Sequence, residues 1–295
     1  MTPEAVHAYV CTWREAENIG PCLAAIRAAG VQRVFVVDAG SDDGTAQRAR
    51  QAGAEVLAAP RGLAGQRQAA IDHCRADLLL FVDADDRLHP DCVRRLLADM
   101  AGHDCDVVQA SNRVLSPRRY LERGMDAVMA LVTSRPGPTA MVGRPALYRI
   151  GPLRQAGMDL EFNGVGNEDA ALAIRLEGLG ARQRIGTGLS FRRHPAGWGD
   201  NIRAWRKYGH GDAALFRRYP DKRRNVLRHL LYVYPVERSR LLWAAGQGRL
   251  AGYTVLVGAA RFLFMLEGLL RRRPPAVSLR PAAGVSPERS GNGTG

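Results

Sequence analysis

The stretch LLLFVDADD, residues 78–86, runs five apolar residues into three carboxylates within four positions. The apolar run has the length and content of a strand buried on both faces. A strand interior does not accommodate clustered like charges, because each disfavours its neighbours' ionised form. The acidic triplet therefore belongs just past the strand's carboxyl end, facing a cation or a polar partner.

Working outward, "AVHAYVCTW" and "VQRVFVVDAGSDDGT" also read as short apolar strands that end in polar and small residues. Between them, Ile19, Leu23 and Ile26 fall at helical spacing before a closing Gly30. "AQRARQAG" continues as a helix, "AEVLAAP" as a strand and "LAGQRQAAIDHCRA" as a helix, and a further helix from Pro90 to Met100 follows the acidic turn. The alternation predicts an α/β fold whose mainly parallel sheet is flanked by helices on both faces. Ligands of such sheets bind beyond the carboxyl ends of the strands. The polar clusters fall there: Thr12 to Glu15, Asp38 to Thr45, and Asp83 to Asp86.

At 295 residues and 46% apolar content, the chain is long enough for a sizeable core. Its five cysteines are odd in number and lack C-x-x-C spacing, which predicts neither a disulfide framework nor a zinc site. No basic segment followed by an apolar stretch opens the sequence, so a cytoplasmic location is expected. The net charge of +13 is segregated: residues 192–295 carry 20 Lys/Arg against 6 Asp/Glu, whereas residues 1–191 are nearly balanced. That points to an anionic partner such as a membrane surface or a phosphorylated substrate, with no nucleic acid expected.

The chain resembles the family 2 glycosyltransferases of the GT-A fold over roughly Tyr9 to Tyr219. The resemblance rests on "YVCTWREAENIGPCL", "VFVVDAGSDDGT", "GLAGQRQAAIDHCRADLLLFVDADDRL", "GRPALYRIGPLRQAGMDLEF" and "GNEDAALAIRLEGLGAR", in the family's order. It implies a nucleotide-sugar-binding half (1–110) and an acceptor-binding, catalytic half (111–200) of one GT-A domain. A basic helical C-terminal extension (201–273) and a disordered, Pro-, Gly- and Ser-rich tail (274–295) would follow.

The residues take roles within that resemblance. Asp83 and Asp85 look like the DxD motif, one carboxylate reaching a ribose hydroxyl and the other Mn²⁺ or Mg²⁺, which prefer oxygen ligands and substrate phosphates. Asp38 would accept the ring N–H of the nucleobase, while Ser41, Asp42 and Gly44 suit a turn. Thr12 and Glu15 join the nucleotide-sugar site, and Arg67 sits where the family often has a nucleotide-facing arginine. Inverting transfer needs a base for the acceptor hydroxyl. The resemblance gives that role to Asp169, with Glu168 next, although both suit a helix start with Asn167 as N-cap. His194 falls where related enzymes place a histidine near the metal or the diphosphate. The acceptor pocket is expected to draw on "LVTSRPGPTAMVG" and the Met158 to Gly166 loop.

"LAGYTVLVGAARFLFMLEGLLRRR" is too interrupted by Arg261 and Glu267 to read as a bilayer span. It suits an interfacial helix on anionic lipid, a packed helix or a dimer contact. The expected activity is metal-dependent inverting transfer of a sugar from a nucleotide-diphosphate donor, a UDP-sugar, to a hydroxyl acceptor. A retaining transferase on the same fold stays open. A sugar nucleotidylyltransferase would want a glycine-rich phosphate loop after the first strand, and "CTWREAENIG" lacks one. A receiver-type phospho-acceptor domain would want a lysine late in the sheet, and none precedes Lys207.

Overall fold

The structure is a computed structural model that describes residues 2–271. The stretch 274–295, expected as a tail, lies outside the described residues. β1 (Val6–Thr12), α1 (Ile19–Ala28), β2 (Arg33–Asp38), α2 (Thr45–Gln51), β3 (Glu55–Ala58), α3 (Leu63–His73) and β4 (Leu78–Asp83) follow the alternation read from the sequence. β5 (Asp86–Leu88), α4 (Cys92–Gly102), β6 (Val107–Val114), α5 (Tyr120–Thr133) and β7 (Gly137–Pro138) continue the chain. β8 (Ala146–Arg149), α6 (Ile150–Ala156), α7 (Glu168–Gly178) and β9 (Gln183–Arg192) complete the sheet region.

The sheet order is β3-β2-β1-β4-β8-β6-β9-β5, with β7 also paired to β9. β3, β2, β1 and β4 are parallel, as expected, with Val10 opposite both Val36 and Val82. Beyond β4 the sheet becomes mixed: β8 runs antiparallel to β4 and β6, and β6 runs parallel to β9.

Side chains alternate between two cores, as a doubly covered sheet requires. Val6, Ala8 and Val10 of β1 pack with α1 and α4, whereas Tyr9 meets α3, α6 and α7 on the opposite face. Ile19, Leu23 and Ile26 are all buried, so the spacing read in α1 is the core stripe. All five cysteines are free.

The C-terminal extension is helical. It comprises α8 (Trp198–Arg218), α9 (Arg223–Arg228), a π-helical stretch (His229–Arg238), α10 (Ser239–Ala244) and α11 (Ala251–Leu270). α8 is the pillar of this layer, and two glycines let it approach both neighbours. A Cβ on Gly209 would lie 2.5 Å from Phe264 Cβ of α11, and one on Gly211 would lie 2.2 Å from the Gly166 carbonyl oxygen. Gly248–Leu270 is long and apolar enough to cross a membrane by length and composition. Within α11 the two charged residues turn toward α8: Arg261 pairs with Asp212 of α8 at 2.7 Å, and Glu267 pairs with Arg206.

Candidate active site

Each carboxylate reaches the site on a different piece of backbone. β4 delivers Asp83 at its last position, a tight turn carries Asp85, and Asp86 opens β5. Ligand oxygens of these three aspartates lie within 4.8 Å of one another, forming a group able to hold a metal ion. The turn is pinned from β9, because Arg193 N donates to the Asp85 carbonyl at 2.9 Å.

The cation demanded by the acidic triplet is, in this structure, arginine. Arg192 donates to both Asp86 oxygens at 2.9 Å and to Asp83 Oδ2 at 3.0 Å. Arg144 Nε lies 2.9 and 3.1 Å from the two Asp83 oxygens, and Arg67 reaches Asp83 at 3.2 Å. Burial alone would raise the Asp83 pKa, but the three guanidinium groups outweigh it and hold the carboxyl well below the usual range.

Asp85 is different. Among the described residues its carboxylate accepts no hydrogen bond, and its one ion-pair partner is Arg192, Nε at 3.8 Å. Burial, reinforced by the charges of Asp86, Asp83 and Glu15, pushes its pKa up to about 7 against the pull of Arg192. Of the three aspartates, Asp85 is thus the one whose charge is least compensated. With its oxygens beside those of Asp83 and Asp86, the donor set fits a hard divalent cation that favours oxygen ligands.

Glu168 and Asp169 open α7, and they separate in role. Glu168 is 4% exposed, pairs with Arg67 at 2.7 Å and lies 3.3 Å from Arg144. Burial raises its pKa, yet those two arginines bring it below the ordinary value. Asp169 is 25% exposed and lies 3.6 Å from Arg144 Nη1. One guanidinium therefore joins the aspartate cluster to the α7 pair. The helix-cap reading needs correction: Asn167 stands at the N-cap with φ +66 but makes no side-chain cap bond. Its Nδ2 instead donates to Asp212 Oδ1 at 2.8 Å and to the Tyr208 carbonyl, tying the loop to α8.

At the other end, Asp38 is buried and accepts from Thr12 Oγ1, Ser41 N and Ser41 Oγ at 2.9, 2.8 and 2.6 Å. Ionised carboxylates have about four lone-pair sites, so capacity for one further donor remains. The rest of "GSDDGT" serves the turn: Asp43 accepts from Thr45 and Ala16, and Gly44 takes φ +87. Glu15 accepts from Asn18 Nδ2 at 2.8 Å. Its pKa is raised by burial and then by the charges of Asp83 and Asp43, which sets it beside the same cluster.

Arg67 is 2% exposed and not on a surface face; its observed partners are the two carboxylates. His194 lies outside the group within 4.8 Å, and its Nε2 meets Asn201 Oδ1 at 2.9 Å. Asn201 Nδ2 donates to the Pro195 and Gly197 carbonyls, which fixes Oδ1 as an acceptor and Nε2 as the protonated nitrogen. Burial lowers the pKa of the imidazole, favouring its neutral form. The Nδ1 lone pair then suits a cation better than a phosphate oxygen.

Arg144 and Arg192 were not singled out as site residues in the sequence, nor was Gln66, whose Nε2 bonds the Thr12 and Val37 carbonyls. The available signal was position: Arg144 precedes β8 and Arg192 ends β9, each beside a strand of the site.

Residues 8–153 match the model of Glycosyl transferase family 2. An 86-residue stretch is 40% identical to Glycosyltransferase AglJ of Haloferax volcanii, covering 28% of each chain. A 104-residue stretch is 33% identical to an uncharacterized glycosyltransferase of Rickettsia felis, covering 35% of this chain and 36% of that protein. The matches thus span about a third or less of those relatives. Among solved structures, a mannosyltransferase from Pyrobaculum calidifontis in complex with GDP-Man and Mn²⁺ superposes with a TM-score of 0.64 at 18% identity, over 90% of this chain and 87% of that one. Glucosyl-3-phosphoglycerate synthase from Mycobacterium tuberculosis, in complex with Mn²⁺, UDP and glucosyl-3-phosphoglycerate, gives 0.50 at 18% identity, over 69% and 77%. These likenesses show a shared GT-A fold.

Proposed function

The chain belongs to glycosyl transferase family 2, and from that premise we propose that it transfers a sugar from a nucleotide-diphosphate donor, a UDP-sugar, to an acceptor hydroxyl with inversion at the anomeric carbon. The observation that carries this reading is the gathering of Asp83, Asp85 and Asp86 with the Glu168–Asp169 pair through Arg144. Solved neighbours on this fold hold GDP-Man or UDP together with Mn²⁺, which supports a nucleotide donor and a divalent metal.

Asp85 would hold Mn²⁺ or Mg²⁺ beside Asp83 and Asp86, and His194, which lies outside that group, is not needed to complete the donor set. A cation there supplies charge neutralisation to the departing diphosphate. Asp83, kept ionised by its arginines, accepts from a ribose hydroxyl, and Asp38 accepts a nucleobase N–H with its remaining capacity. Asp169 takes the acceptor proton as the hydroxyl oxygen bonds to the anomeric carbon and the bond to the diphosphate oxygen breaks, its electron pair leaving with the diphosphate. Asp169 suits that task better than Glu168 because it is open to solvent and free of a short ion pair. Glu168 instead fixes Arg67 and Arg144.

A panel of UDP- and GDP-sugars with Mn²⁺ or Mg²⁺ tests the reading, since slow hydrolysis reports the donor without the acceptor. NMR of the product's anomeric configuration distinguishes inversion from retention. Absence of hydrolysis together with absence of metal-dependent nucleotide binding overturns it.

A further inference from the structure

α11 inverts the usual pattern of a surface helix. Its two charged residues face α8, while the outward row is Val255, Ala259, Leu263, Leu266 and Leu270, all exposed. The spacing of three and four residues makes one continuous apolar stripe. Against it, Leu231 and Pro235 of the π-helical stretch close a groove of about 310 Å³ with Val255, Phe262 and Leu263. On α10, Leu241 is 42% and Trp243 69% exposed. A patch of this kind on a soluble domain marks an interaction surface.

The charge around the stripe identifies the partner. Arg249 precedes the helix and Arg271 follows it, and Arg240 shares α10 with Leu241 and Trp243. Arg240 and Arg249 are exposed and form no ion pair among the described residues. An apolar stripe within an arginine rim complements a bilayer surface, where acyl chains meet anionic headgroups. It does not complement itself, because a second copy would set unpaired arginines against arginines.

We infer that the outer face of α11, with the exposed side chains of α10 and the π-helical stretch, docks the protein peripherally on an anionic lipid bilayer. The inward Arg261–Asp212 and Glu267–Arg206 pairs keep α11 on the domain, so the helix lies along the membrane surface. Leu263, Leu266 and Trp243 enter the acyl boundary while the arginines meet phosphates.

The test is co-sedimentation of the full chain with phosphatidylglycerol-containing and with pure phosphatidylcholine vesicles, alongside sedimentation velocity without lipid. Binding is expected to the anionic vesicles alone and to weaken with salt. Replacing Arg240 and Arg249 together by Gln should reduce affinity about thirty-fold, from the two lipid-facing charges lost. Leu263→Asp should reduce binding at least ten-fold at every salt concentration, and its thermal melt should match the parent because Leu263 is 63% exposed. If that variant unfolds, Leu266→Gln and the arginine variant carry the test. Failure of the full chain to bind anionic vesicles, or equal binding by all variants, overturns the inference. So does a dimer that Leu263→Asp dissociates without any lipid binding, which would assign the stripe to a second copy.

Discussion

Arg67 Nη1 donates to Glu168 Oε1 at 2.7 Å across 101 residues of sequence, with both side chains buried. This bond fixes the start of α7 to α3, and through Arg67's second contact, to Asp83. Breaking one partner of a buried pair leaves the other charged and unpaired, which typically costs 3–5 kcal/mol. In Arg67→Met, Glu168 keeps Arg144 at 3.3 Å and Asp83 keeps Arg144 and Arg192, so the loss of unfolding stability should fall below that range, at about 2 kcal/mol, read from a urea midpoint at constant slope. A loss of activity with unchanged stability would instead make Arg67 a donor-binding group.

Asp169→Asn separates chemistry from architecture at the same helix. As the acceptor's base, it should lower turnover by about 10²–10⁴-fold while nucleotide binding stays near normal. Glu168→Gln should be felt first in stability, because it removes the charge facing Arg67. Near-normal turnover of Asp169→Asn would move the base elsewhere.

Asp85→Asn should abolish metal-linked UDP binding measured by calorimetry with Mn²⁺. Its effect on the metal-free fold has a sign set by the raised pKa of about 7. Between the ordinary carboxylate value and pH 7, the folded protein holds a proton that the unfolded chain has lost, so stability from this group declines as pH rises. The variant should thus melt above the parent at pH 8 and alongside it near pH 4. The parent's metal affinity should rise with pH and level off above about 7. Pronounced destabilisation of Asp85→Asn at pH 8 would contradict the uncompensated charge.

His229 gives the opposite dependence. Burial, then Arg238, Arg261 and Arg228, lower its pKa from 6.5 to about 3. The unfolded chain binds the proton first, so stability present above pH 6.5 is lost as the pH falls toward 3. The loss is of order 1 kcal/mol per pH unit. His229→Gln should flatten that part of the Tm profile, and an unchanged profile would refute the shift.

The first four strands and their helices were legible because each signal is local: alternation within a strand, helical spacing within a helix, and polar residues where the strand stops. The antiparallel insertion of β8 and the β6–β9 pairing were not, since those contacts join segments far apart in sequence. The site divides the same way. Asp83 and Asp85 announced themselves by crowding charge at the end of an apolar run. Arg144 and Arg192 did not, because an isolated arginine in a chain rich in them reads as surface until the topology brings it against a carboxylate. Asn167 occupied the expected helix start, but its left-handed backbone aims the side chain at α8.

Asp212 accepts from Asn167 of the α7 loop and from Arg261 of α11, the two sharing Oδ1. Ribosomal synthesis delivers these residues in order, and the arginine comes last. Until α11 emerges, Asp212 lacks its guanidinium and the loop before Glu168 and Asp169 lacks a settled anchor on α8. The β1–β4 half of the sheet can assemble early in translation, whereas the start of α7 acquires its final geometry only after α11 has been made.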